Sequence, residues 1–128
     1  MKHFLHLALA LPLFLVACEA PESTNETQLA HHVFIWLKNP DSEQDLEQLL
    51  AGMNTLKDID VIHYFQVGIP ANTEKRSVVD HSYSASLLLF FNNEADQLRY
   101  QQHAVHLAFV EKYSDLWQKV IVYDTKVL

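Results

Sequence analysis

The sequence contains a single cysteine, too few basic residues to balance its acids, and no apolar run long enough to cross a bilayer. The lone cysteine excludes an internal disulfide. Nine Lys and Arg against 16 Asp and Glu give a formal charge of −7. That balance leaves no electrostatic footprint for nucleic acid. The longest apolar run, Phe4 to Val16, covers 13 residues, whereas a spanning helix needs about 20. There is no internal repeat, and no low-complexity tract beyond a polar stretch over residues 19–30.

At the N-terminus the layout is that of a secretory signal. Lys2 supplies the positive region, the apolar run follows, and Leu15-Val16-Ala17-Cys18 closes it. This ending resembles the bacterial lipobox, in which small residues admit the peptidase and the cysteine thiol takes a diacylglycerol. The expectation is a signal peptide over residues 1–17 and lipidation at Cys18. The alternative is an ordinary buried cysteine in a short apolar helix. A lipid supplies membrane affinity at about 0.8 kcal/mol per buried methylene, so the polypeptide itself need not span anything. Glu19 after the cysteine resembles Gram-negative signals for the outer membrane, facing the periplasm. The processed chain has 111 residues (128 − 17); Lys2 is the only charge removed, which leaves −8 (8 basic against 16 acidic). Residues 18–30 read as the lipidated cysteine and a flexible tether, "EAPESTNETQLA". Residues 31–128 then form one small domain.

Within that domain, "HHVFIWLK" (31–38) is β-branched and aromatic and stops at Asn39-Pro40, so it predicts a strand. A helix follows, with Asp41 as N-cap and apolar residues at 46, 49, 50, 53 and 56 forming one stripe. "DVIHYFQVG" (60–68) predicts a second strand and "ASLLLFF" (85–91) a third, joined by the polar segment "IPANTEKRSVVDHSYS". Asn93 caps a helix running through Arg99, another helical segment covers 103–113, and "KVIVYD" (119–124) closes with a fourth strand. The order β-α-β-β-α-β is the ferredoxin-like arrangement, an α+β class with helices on one face of an antiparallel sheet. Such a sheet should alternate apolar and polar residues. Here Phe34 and Trp36 oppose Val33 and Ile35, and Leu88 and Phe90 oppose Leu87 and Leu89. With both faces apolar and helices for only one, a second copy packed sheet-to-sheet is expected, giving a homodimer and a shared barrel.

"HHVFIWLK", "VIHYFQVGIPA", "RSVVDHSYSASLLLFF", "YQQHAVHLAFVEKY" and "LWQKVIVYD" together resemble the stress-responsive α/β-barrel (Dabb) domain. The resemblance covers nearly the whole domain and implies a dimeric α/β barrel. Bacterial members include lipoproteins, and a plant member is a polyketide cyclase that needs no metal or organic cofactor. Carried over, the cyclase's essential tyrosine falls on Tyr100, its catalytic histidine on His106 and its strand-one pocket histidine on His31. Val33, Ile35, Trp117, Val120 and Val122 match pocket positions. A further pocket histidine of the cyclase is replaced here by Ala85, which argues against the same substrate.

The candidate site is therefore His106, Tyr100 and His31 over Val33, Ile35, Leu87 and Val122, an apolar hollow with a few polar groups suited to a small apolar or aromatic molecule. A neutral His106 can take a proton beside a carbonyl while Tyr100 positions the carbonyl oxygen and His31 assists. The alternative is that these imidazoles are core residues bonded to backbone or to each other. A third class is a structural, stress-protective assembly. His103 and His106, three apart, can chelate a metal only with further ligands such as His31 or Asp124. Nothing in the sequence demands one, and no cofactor is expected. His103 reads instead as a helix-start residue bonded to backbone.

Overall fold

The structure, a computed structural model, describes residues 28–128. The signal peptide, Cys18 and most of the tether lie outside the described residues. Strand β1 runs Leu29–Leu37, helix α1 Glu43–Asn54, β2 Tyr64–Gly68, β3 Ala85–Phe91, α2 Glu94–Gln102, α3 Ala104–Tyr113 and β4 Trp117–Lys126. Two 3₁₀ turns, Thr55–Asp58 and Ser114–Leu116, extend α1 and α3. The four strands form one antiparallel sheet in the order β2-β3-β1-β4, and the fold is α+β and ferredoxin-like.

The strands that are apolar on both sides, β1 and β3, lie at the centre. Their odd-numbered residues Val33, Ile35, Leu37, Leu87, Leu89 and Phe91 are buried beneath the helices. Their even-numbered neighbours Phe34, Trp36, Leu88 and Phe90 are half-buried on the outer face. The stripe on α1 and its 3₁₀ turn supplies Leu49, Met53 and Leu56 to the same core, all fully buried. Glycine at position 52 sets how closely α1 meets α3, since a Cβ there would lie 2.6 Å from the Tyr113 ring.

Several boundaries differ from the sequence reading, each for a local reason. Ser42, not Asp41, caps α1: its Oγ accepts from Asp45 N–H at 3.1 Å. Asp41 is spent inside the Asn39–Ser42 turn, closed by Ser42 N–H donating to the Asn39 carbonyl at 3.0 Å. Strand β2 starts at Tyr64 rather than Asp60, because Ile59 and Ile62 donate to Leu56 and Ile59 in successive tight turns that bury Val61. His63 therefore precedes the strand. Leu29 and Ala30, assigned above to the tether, belong to β1, where Leu29 packs against the core. β4 gains residues at both ends of the predicted 119–124.

Candidate functional site

His31 lies near the start of β1, directly opposite Asp124 of β4 in the ladder. Both side chains project to the helix side, and His31 Nδ1 lies 2.6 Å from Asp124 Oδ1. The imidazole is 3% exposed, whereas the Asp124 side chain, on an edge strand, is 49% exposed. Edge-to-face contacts with Phe91 (6.1 Å between centroids) and Tyr100 (5.7 Å) hold the ring from two further sides.

The other two groups depend on a break between α2 and α3. His103 adopts extended backbone (φ −66°, ψ 137°) and ends α2. Its Nδ1 accepts from Val105 N–H at 3.1 Å, so the same residue starts α3. This is the helix-start role read from the sequence, and it turns the imidazole toward backbone. The bend brings Tyr100, near the end of α2, and His106, in the first turn of α3, to 4.6 Å between ring centroids. His106 Nδ1 pairs with the Gln101 carbonyl at 3.1 Å. A carbonyl only accepts, so Nδ1 carries the proton and Nε2 keeps a lone pair.

Burial is the main influence on both titrating groups. It lowers the His106 pKa below the usual imidazole value; the Gln101 carbonyl opposes this, and nearby His31 adds slightly to it. His106 is thus neutral at neutral pH. Tyr100, 2% exposed, has its hydroxyl pKa pushed up by desolvation and stays protonated.

These side chains line a cavity of about 140 Å³, together with Val33, Ile35, Leu87, Trp117, Val120 and Val122. Every pocket residue named from the sequence is present on that wall. Sequence reasoning missed Met53, Gln101, Phe109 and Val110. It also left Asp124 without a role beside His31. Periodicity flagged Met53 only as core; the Asp124 pairing needed the register of β1 on β4. Val120 and Val122, 39% and 43% exposed, form the open side, on the edge strand β4. Ala85 is fully buried opposite Ile35 and brings no polar atom.

The polar atoms that remain unspent are informative. Among the described residues, no side-chain nitrogen or oxygen is sealed away without a partner. Yet His31 Nε2, the Tyr100 hydroxyl and His106 Nε2 bond to no described protein group, although His31 and Tyr100 are almost wholly buried. All three residues line the same cavity. The site therefore presents one hydroxyl donor and two imidazole nitrogens to an apolar hollow. A larger, shallower groove of about 460 Å³ lies on the opposite face, between Gln28, His63, Tyr64, Leu88 and Phe90. It lacks such a convergence, so the smaller cavity is the better candidate despite its size.

Fold and cavity together define a small ferredoxin-like α+β protein with a polar-tipped pocket between helices and sheet. Residues 29–127 match the Stress Responsive A/B Barrel Domain (Dabb), and the chain belongs to that family. No curated protein matches the sequence. Among solved structures, a Dabb family protein with a ferredoxin-like fold from Mesorhizobium loti is 21% identical, with a TM-score of 0.65 over 80% of this chain and 98% of that one. Hydroxynitrile lyase from Passiflora edulis is 19% identical, with a TM-score of 0.66 over 80% and 95% of the two chains. A dimeric ferredoxin-like protein of unknown function from Thermobifida fusca is 13% identical, with a TM-score of 0.64 over 79% and 92%. At these identities the likeness establishes the shared fold.

Proposed function

We propose that this Dabb domain binds a small apolar or aromatic molecule carrying a carbonyl or hydroxyl in its helix–sheet pocket, and performs proton transfer on it without a cofactor. The observation that carries this is the set of three unspent polar atoms, on His31, Tyr100 and His106, around a cavity whose other walls, Gln101 apart, are apolar side chains. Its volume of about 140 Å³ is close to that of the roughly 150 Å³ apolar cavity that accepts benzene in another protein. One ring with a short polar substituent fits; a long chain would have to leave past Val120 and Val122. Neutral Tyr100 can donate to a substrate oxygen, and a neutral imidazole can accept a proton. For a hydroxynitrile, the base takes the hydroxyl proton, the oxygen electrons form the carbonyl, and cyanide departs with the pair of the broken C–C bond. An aldol-type cyclase or an isomerase would use the same base and donor on a carbon acid.

Benzaldehyde and its cyanohydrin are the probes. Titration of the purified protein with benzaldehyde should perturb the NMR resonances of Tyr100 and His106, and the cyanohydrin should release aldehyde faster than in buffer. Tyr100→Phe should weaken aldehyde binding. Absence of binding by wild-type protein at millimolar probe would retire the reading.

The assembly we propose is a homodimer through the outer sheet face, anchored by lipid at Cys18 to the envelope, in the outer membrane facing the periplasm. The dimer is supported by the half-buried row of Phe34, Trp36, Leu88 and Phe90 and by the dimeric state of the Thermobifida relative. Part of that row is already occupied: Tyr83, from the long β2–β3 connection, packs edge-on against Phe34 at 5.0 Å and Trp36 at 6.4 Å. The anchor is supported by the residues around Cys18. The ten residue steps from Cys18 to Gln28 reach at most about 35 Å when extended, which keeps the domain near its membrane. Labelled palmitate should enter the wild-type chain and not Cys18→Ala; equal labelling would remove the anchor from the proposal.

A further inference from the structure

We infer that Asp124 is a positioning residue that fixes His31 with its proton on Nδ1 and its lone pair on Nε2, making His31 the pocket's principal proton acceptor. This rests on the reading of the cavity as a ligand site and changes the role of His31 from assistant to base.

The two imidazoles of the pocket are held in different ways. His106 donates from Nδ1 to a neutral backbone carbonyl at 3.1 Å. His31 donates to a carboxylate at 2.6 Å. A bond to an ionised acceptor is shorter and roughly twice as strong as a neutral one. It also stabilises the imidazolium that forms when Nε2 accepts a proton, which a carbonyl does less well. Of the two, His31 is the better equipped to become positive during a reaction.

Geometry leaves His31 little choice of tautomer. Its ring is caught between Phe91 and Tyr100, and its backbone is fixed in the ladder facing Leu89 on one side and Asp124 on the other. Among the described residues, the titratable groups facing it are Asp124 from β4, Tyr100 from α2 and His106 from α3. Tyr100 is protonated and His106 neutral, so Asp124 is the only anion among them. With Nδ1 committed to Asp124, Nε2 is left toward the cavity that His31 lines, with no partner among the described residues. Asp124, half-exposed, keeps its second oxygen available to water.

Replacing Asp124 by Asn tests this with little change of shape. An Asn amide can satisfy Nδ1 by donating, which moves the imidazole proton to Nε2. The same replacement behind the histidine of a serine protease leaves the geometry intact but yields the wrong tautomer. Histidine-labelled full-length protein, observed by nitrogen NMR, should show His31 protonated at Nδ1 in the wild type and at Nε2 in Asp124→Asn. Asp124→Glu should restore the wild-type tautomer. Two ligands then read the pocket. Phenol, which donates from its hydroxyl, should bind Asp124→Asn roughly tenfold more weakly than wild type. Benzaldehyde, which only accepts, keeps Tyr100 and gains the Nε2–H as a donor, so it should bind Asp124→Asn at least as tightly as wild type. A purely structural role for Asp124 would weaken both ligands equally. That result overturns the inference, as does a wild-type His31 protonated at Nε2, or one whose tautomer is unmoved in Asp124→Asn. If neither ligand binds the wild type, the ligand-site reading fails, and with it the acceptor role; the NMR tautomer then still decides whether Asp124 positions the ring.

Discussion

His31 and His32 are adjacent residues of the same type, and the pleat of β1 sends them to opposite faces. His31 meets a carboxylate, two aromatic edges and a cavity. His32 lies against the Phe34 ring at 4.2 Å, with Leu88 and Tyr123 as its cross-strand neighbours. On the helix side, polar atoms are few, placed in register and aimed at a hollow. On the outer side, rings lie on rings and the polar groups sit at the margins, such as Lys119 over Trp36 at 4.3 Å. One sheet thus carries a face with a polar-tipped hollow and a face of ring-on-ring contacts. The difference arises from what covers each side, since both are apolar in sequence.

This contrast is sharpest for side chains that fill space. Ile35→Ala on the helix side should cost about 2–5 kcal/mol in urea unfolding, the usual penalty for an unfilled core cavity. Leu88→Asp on the outer side should leave the monomer's fold intact while sedimentation shows loss of the dimer at micromolar concentration. Equal losses of fold stability would erase the distinction between the faces. Gly52→Ala should destabilise by about 1–3 kcal/mol through overpacking, because the new Cβ must displace Tyr113. Its effect on benzaldehyde affinity would report how far the α1–α3 contact holds His106 in place.

Tyr100→Phe removes only a cavity-facing hydroxyl. It should lower benzaldehyde affinity by about 1 kcal/mol, roughly fivefold, with little change in thermal midpoint. A large fall in the midpoint would mean that the hydroxyl serves the core instead.

The smallest expected effect is on pH. Both His32 and His106 have pKa values depressed in the folded chain, in each case chiefly by burial and to a lesser degree by the neighbouring His31. The unfolded chain, with an ordinary imidazole pKa of about 6.5, then binds protons more readily than the folded one. Stability is at its full value above that pH and declines as pH falls toward the depressed folded values. His32→Phe and His106→Phe should each flatten part of that decline in denaturant titrations between about pH 5 and 7. A decline unchanged in the double variant would assign it to the carboxylates.

Much of this was readable from residue order. Alternation in "HHVFIWL" placed His31 with Val33 and Ile35, and "ASLLLFF" read as a strand apolar on both faces. His103 was legible as a helix start because a histidine after a polar turn can satisfy the first free amide. The β2 boundary was misread because Asp60–His63 looks extended in composition, while the backbone there spends its hydrogen bonds in tight turns. Asp41 passed for a cap because it is a good capping residue; the turn at Asn39 and Pro40 moved that position to Ser42.

The sequence alone determined the number and order of elements, the two-sided hydrophobicity of the sheet and the six-residue spacing of Tyr100 and His106, since these rest on local pattern. Tertiary structure decided which carboxylate meets His31. Asp124 is 93 positions away, and only the antiparallel register of β4 on β1 brings it opposite. It also decided the size of the hollow and which polar atoms face it, because those depend on how tightly α1, α2 and α3 settle over the sheet, a property of packing between distant segments rather than of any one of them.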